Sequence, residues 1–207
     1  MAATETMSAG SAGTAIATTG VLLSGVGGQG VLLASYVLSQ AAMAEGYDVK
    51  QSEVHGMSQR GGSVVSHLRF GPQVHSPLVT PGTADLLLSF EALEALRYVH
   101  WLKPGGLLVY NQLRINPATV AAGLASYPDE IAARIAAAWE NSLAVDANAL
   151  AEQAGNVRAA NMVLLGAIAG RLPFKPETWR AIVERVVPPK TVEANVRAFE
   201  LGMAASK

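Results

Sequence analysis

An apolar run, Val21-Leu22-Leu23-Ser24, gives way to Gly25-Val26-Gly27-Gly28-Gln29-Gly30 and resumes as Val31-Leu32-Leu33. Few backbone paths suit that order. A short buried strand, a turn through φ > 0 and the first turn of a helix satisfy it, because glycine alone enters such turns freely and lets another group approach the main chain. The helix start also leaves backbone N–H groups free, with the positive end of the helix dipole behind them, which favours an anion. Gly25-x-Gly27-x-x-Gly30 fits the dinucleotide fingerprint in its expected context, although Gly28 adds a further glycine to the usual turn.

A second polar stretch follows the next strand: Glu53-Val54-His55-Gly56-Met57-Ser58-Gln59-Arg60-Gly61-Gly62. It carries a carboxylate, an imidazole, a guanidinium, a hydroxyl and an amide. Arg60 offers forked donors to phosphate or carboxylate, and His55 can change protonation near neutral pH. In a parallel sheet both loops would sit at the carboxyl edge of neighbouring strands, where α/β folds hold ligands. Glu53 would then stand where an acid holds a ribose 2′-hydroxyl in NAD-binding folds.

The remaining chain reads as α/β: a three-layer α/β/α domain with a mostly parallel, mixed sheet and a helical C-terminal third. Residues 1–19, rich in Ala, Thr, Ser and Gly, read as a flexible tail, and 20–204 as a single domain. Strands are expected at 20–24, 49–53, 63–70, 85–90, 107–111 and 143–146, with a hairpin return at 74–76. The helix over 29–45 is apolar most of the way round, which predicts burial on several sides or cover by another subunit. Ser63–Phe70 alternates, placing His67 on the face expected to be surface or interface. Helices are expected at 91–102, 117–125, 128–138, up to 154, 159–171, 176–187 and 190–204, punctuated by Pro173, Pro176 and Pro188-Pro189. Asn161 is expected to cap its helix and Asn195, a poor helix former, to make a specific hydrogen bond. Gly166 and Gly202 are read as sites of close helix packing.

Several chemistries are excluded. The 207 residues contain no Cys, which removes thiol nucleophiles, thiolate zinc and thiolate-held iron–sulfur clusters from this chain and fits a cytoplasmic setting. His55, His67, His75 and His100 have no metal-ligand spacing. There is neither a Walker lysine nor a Gly-x-Ser-x-Gly elbow. A net charge of −1 draws neither nucleic acid nor a membrane, and no apolar run approaches the roughly 20 residues a span needs. Only 15% of residues are charged, which predicts a surface partly hidden against a partner, or against a second copy in a homodimer when isolated. The residues alone leave an NAD-dependent dehydrogenase using Glu53 and a non-catalytic interaction module both open.

The Gly25–Gly30 turn, the Glu53–Gly62 stretch, Asn161-Met162-Val163-Leu164-Leu165-Gly166 and the closing Asn195-x-x-x-Phe199-x-x-Gly202 together resemble the γ-domain family of the 2-oxoacid:ferredoxin oxidoreductases. Within it, the arylpyruvate branch is the most similar, and the resemblance spans about 20–202. It implies a subunit of a complex that oxidatively decarboxylates an aryl 2-oxoacid to its acyl-CoA and reduces ferredoxin, with no catalytic residue on this chain. Thiamine diphosphate and the iron–sulfur clusters are then expected on a large partner subunit, which agrees with the absence of Cys. Coenzyme A is the ligand the resemblance suggests for the two loops. The Gly27–Gly30 amides would cradle a phosphate and Arg60 would pair with one, with the rest of the two stretches lining the seat.

Overall fold

The computed structural model describes residues 18–55 and 61–206, with the His55 side chain outside that description. Its frame is a six-stranded sheet in the order β2-β3-β1-β4-β5-β6. The central strand β1 (Thr19–Val26) runs parallel to β4 (Ala84–Ser89), which runs parallel to β5 (Leu102–Asn111), and that to β6 (Ser142–Val145). On the other side of β1, β3 (Ser63–Gly71) is antiparallel both to β1 and to the edge strand β2 (Asp48–His55).

The sheet is therefore mixed, as expected, but for another reason. The stretch 74–76 forms no strand. Its surroundings are held by side chains: the Val74 N–H donates to Asp48 Oδ2 at 2.8 Å, the Val79 N–H to His67 Nδ1 at 3.2 Å, and Arg69 Nη1 to the Ser76 carbonyl at 3.2 Å. With those groups taken up there is no ladder to build. The antiparallel element is β3, whose alternation shows a strand and not its direction. The Pro104-Gly105-Gly106 turn lies within β5 as an irregularity: Ala84 pairs with Leu102, whereas Leu86 pairs with Leu107.

Both faces of the sheet are covered. Val21, Leu23, Leu68, Phe70 and Leu88 face one core; Leu22, Val65, Leu87 and Leu108 face the other, the period-two alternation of strands buried on both sides. The first core lies under α1 (Val31–Ala44), α5 (Ala147–Gln153), α6 (Ala160–Ala169), α7 (Pro176–Val186) and α8 (Val192–Ala205). The second lies under α2 (Ala92–Tyr98) and α4 (Ile131–Ala138), with the single-turn α3 (Ala118–Ala121) beside them. His67 belongs to this second side and is 6% exposed, buried within the chain and not at the surface or interface its alternation suggested. It packs edge-on against Trp101, and burial lowers its pKa, so the neutral ring accepts the Val79 N–H.

The C-terminal helices are tied to the sheet by ring contacts running Phe70–Phe174–Trp179–Phe199, with centroids 5.0, 5.5 and 5.6 Å apart. At the α6–α8 crossing the backbones touch. A Cβ placed on Gly166 would lie 2.0 Å from the Phe199 carbonyl oxygen, and one on Gly202 would lie 1.9 Å from that of Val163. Asn195, in the first turn of α8, donates to the Thr191 carbonyl at 2.8 Å. Among the described residues no helix is long and apolar enough to cross a membrane.

Candidate functional site

The site grows from the carboxyl end of β1. After Val26 the chain turns through Gly28 (φ 104°) and Gly30 (φ 77°), the latter in the left-handed conformation as the N-cap of α1. Gln29 holds the turn from inside. The Val26 N–H donates to Gln29 Oε1 at 2.6 Å, and Gln29 Nε2 donates to the Phe90 carbonyl at 2.7 Å, linking the turn to the end of β4. Gly25 is required beneath it, because a Cβ there would meet Val31 Cγ2, Gln29 Oε1 and Phe90 Cβ at 2.8–2.9 Å.

Above this base the first intrahelical bond is from the Ala34 N–H to the Gly30 carbonyl at 3.0 Å, so the amides of Val31, Leu32 and Leu33 have no acceptor within the helix. No side chain caps α1 and its first turn carries no acid. The positive end of the helix is thus unneutralised among the described residues, in front of an open cavity of about 580 Å³. Gly27, Gly28 and Gly30 line it together with Val26, Val31, Leu32, Leu33 and Val64.

The two glycine stretches meet here. The Gly27 N–H donates to the Gly62 carbonyl at 2.8 Å, and the Gly61 N–H returns to the Gly27 carbonyl at 3.4 Å. Their strands are not neighbours. The second stretch is the connection between β2 and β3, and β3 brings its end to β1, pairing Ser63 with Val26. Gly56, Met57, Ser58, Gln59 and Arg60, together with the His55 side chain, lie outside the described residues; Gly61 and Gly62 are in place against the turn.

Behind Gly62 stands a buried polar cluster that the sequence reading missed. Ser63 Oγ donates to Glu94 Oε2 at 2.5 Å, and Arg97 Nε lies 3.2 Å from Glu94 Oε1. Burial raises the Glu94 pKa, with the Ser63 and Arg97 contacts opposing it. Glu91, 1% exposed, caps α2 by accepting the Glu94 N–H at 2.9 Å, and its other oxygen accepts the Ile115 N–H and the Tyr127 hydroxyl at 3.0 and 2.7 Å. Burial, and then that bond to Glu91, raises the Tyr127 pKa. Nothing in the local sequence joins Glu91 and Glu94 to Ser63; the link exists only once β3 lies beside β1, over α2.

Glu53 does not reach the turn. It pairs across β3 with Ser66, which pairs with Leu23, so it stands level with the middle of β1 and two strands away, roughly 10 Å in backbone spacing. Its Oε1 accepts from Gln51 Nε2 at 3.0 Å. The ribose-binding role requires the acid on the parallel strand next to β1, and the insertion of β3 removes that geometry. Asn161, by contrast, comes to the turn. It is the second residue of α6 and not its cap, and a Cβ on Gly30 would lie 2.7 Å from its Nδ2.

Known proteins share this fold. The chain is 45% identical to the indolepyruvate oxidoreductase subunit IorB of Thermococcus kodakarensis over 90% of its own length and 95% of that protein's. It superposes on the gamma subunit of a keto/oxoacid ferredoxin oxidoreductase from Geobacter sulfurreducens with a TM-score of 0.67 and 25% identity, covering 91% of this chain and 98% of that one. A similar fold, at TM-score 0.69 and 20% identity, covers 91% of this chain and 31% of the 2-oxoglutarate:ferredoxin oxidoreductase of Magnetococcus marinus, solved with 2-oxoglutarate, coenzyme A and succinyl-CoA bound. The family model described as pyruvate ferredoxin/flavodoxin oxidoreductase matches residues 20–205, and the chain belongs to that family.

Proposed function

We propose that the chain is the small subunit of an arylpyruvate:ferredoxin oxidoreductase and that its carboxyl-edge cavity seats coenzyme A by a phosphate group. The observation that carries this is the uncapped, acid-free start of α1 opening onto a cavity lined by Gly27, Gly28 and Gly30 and by Leu32, Leu33 and Val64. A thioester-forming cosubstrate with phosphates at one end and an apolar arm suits such a wall. Relatives of the same length are indolepyruvate oxidoreductase subunits, and a fold neighbour is known with coenzyme A bound.

In this reading a larger partner carries thiamine diphosphate and the iron–sulfur clusters, which supply decarboxylation and electron transfer to ferredoxin. This chain has no Cys to ligate a cluster. Its own residues bind and orient. The amides at the start of α1 hold the phosphate, Gln29 keeps the turn in shape, and Ser63, held by Glu94, sets the position of the second glycine stretch. Arg60 precedes Gly61 in sequence and supplies the guanidinium that pairs with a second phosphate oxygen.

Leu32→Glu tests the seat. A carboxylate in the first turn of α1 favours the helix dipole, so folding is retained, while it repels a phosphate from the amides. Calorimetry of coenzyme A binding to the reconstituted complex is expected to show at least a tenfold loss. Unchanged affinity would place the cosubstrate elsewhere. The isolated chain is expected neither to oxidise a 2-oxoacid nor to bind NAD; NAD binding would favour the dehydrogenase reading instead.

A further inference from the structure

A second cavity, of about 450 Å³, opens beyond the carboxyl end of β5, on the face of the sheet away from α1. Small-molecule sites span roughly 300–1,000 Å³, and the carboxyl edge of an α/β sheet is where they form. Tyr110, Tyr127 and Ile131 are buried residues of its lining; Arg114, Asp129 and Glu130 are exposed ones. It shares no lining residue with the cavity at α1.

Tyr110 is 4% exposed, and its hydroxyl has no hydrogen-bond partner among the described residues, whereas that of Tyr127 is engaged by Glu91. The Tyr110 hydroxyl is not sealed away either: the shut-in, unpartnered side-chain polar atom among the described residues is Trp179 Nε1. Burial raises the Tyr110 pKa, so the group stays protonated and able to donate. Phenylalanine would pack as well; the hydroxyl gains a use when a ligand in the cavity accepts from it.

The charges around the cavity are also unspent. None of Arg114, Asp129 and Glu130 belongs to an ion pair among the described residues. The Arg114 guanidinium lies 4.0 Å from the Tyr127 ring centroid, and its Nε donates to Asn116 Oδ1 at 3.2 Å. Stacking steadies the fork and leaves both Nη groups for a carboxylate. Ile131 and Ala132 also line the cavity. Their amides precede the first bond of α4, from the Arg134 N–H to the Glu130 carbonyl at 2.9 Å, and so have no acceptor within the helix. Glu130 is the non-glycine residue with positive φ, 55°, among the described residues, and its side chain caps nothing. That costly conformation has no return in capping.

We infer that this cavity binds a free α-amino acid with an aromatic or large aliphatic side chain. Arg114, the first amides of α4 and the Tyr110 hydroxyl take its carboxylate, Asp129 and Glu130 its ammonium, and Tyr127 and Ile131 its side chain. A zwitterion answers both signs of charge around the opening, which a simple anion or a simple amine does not. Such a ligand is the aminated form of a 2-oxoacid, but its binding does not rest on the reaction proposed above.

The test is calorimetry on the full chain assembled with its partner. The probes are L-phenylalanine, phenethylamine, which lacks the carboxylate, and 3-phenylpropionate, which lacks the ammonium. L-Phenylalanine is expected to fill one site per chain, and each analogue to bind at least about tenfold more weakly. Arg114→Gln is expected to lose about tenfold in phenylalanine affinity and Tyr110→Phe about three- to tenfold. Glu130→Gly relieves the backbone, so its Tm does not fall while phenylalanine binding weakens, a pairing that a merely structural role would not give. No saturable phenylalanine binding, analogues that match it, or wild-type affinity in Arg114→Gln, an exposed position that can change without unfolding the chain, each overturn the site. A parallel loss of coenzyme A affinity in Arg114→Gln marks a general distortion and overturns it too. An assembly that binds phenylalanine but not coenzyme A upholds this site and sinks the seat at α1.

Discussion

Gly166 and Gly202 lie where two helices touch backbone to backbone, whereas Gly28 and Gly30 lie where the chain bends through a conformation that other residues rarely adopt. At the helix crossing the absence of a side chain is a matter of space: the atoms facing the missing Cβ are carbonyl oxygens about 2 Å away, which cannot step aside. At the turn it is a matter of torsion. Gly28 has nothing within 4 Å of its would-be Cβ and yet a φ of 104°. The first kind of glycine joins elements into one body. The second leaves a strip of bare amide facing open space, and such a strip can receive a ligand.

Substitution by alanine should separate the two kinds. Gly166→Ala or Gly202→Ala must force α6 and α8 apart and is expected to cost at least about 3 kcal/mol in urea unfolding of the chain. Gly30→Ala combines the left-handed φ with a contact to the Asn161 amide, and a cost of roughly 2–3 kcal/mol is expected together with loss of coenzyme A binding. Adding Asn161→Ala to it should relieve the contact and leave the torsional part, so the double variant is more stable than additivity predicts. Gly28→Ala meets open space and should cost only about 1–2 kcal/mol, with binding weakened. Gly170 closes α6 with ordinary right-handed angles and open space around it, so Gly170→Ala is expected to stabilise the chain by about 0.4–1 kcal/mol. A Gly28→Ala variant as damaging as Gly166→Ala would break the distinction.

How far the sequence reaches depends on the same difference between local and non-local causes. The β1–turn–α1 unit was legible because its apolar runs, its glycines and the helix start lie within one short stretch. The C-terminal helices were legible because Pro173, Pro176 and Pro188-Pro189 mark their limits. The direction of β3 was not, since an alternating strand reads the same either way, and two consequences followed from it. Glu53 came out two strands from the turn, and His67 came out buried under the chain that follows β3. The Ser63–Glu94 and Tyr127–Glu91 contacts were hidden for the same reason: their partners lie 31 and 36 residues apart in the chain. Asn161 stood out from the sequence, but a capping role was the nearest local explanation, and only the packing of α6 against α1 brings it to Gly30.

The internal brace made by Gln29 has a consequence for how a guest would be received. Because its amide is already engaged with Val26 and Phe90, the bend does not have to be frozen when an anion arrives. Little of the interaction is lost to ordering the host, so binding should behave as entry into a rigid socket. Cutting the brace, as in Gln29→Ala, should then slow capture and lower affinity while leaving every donor chemically intact.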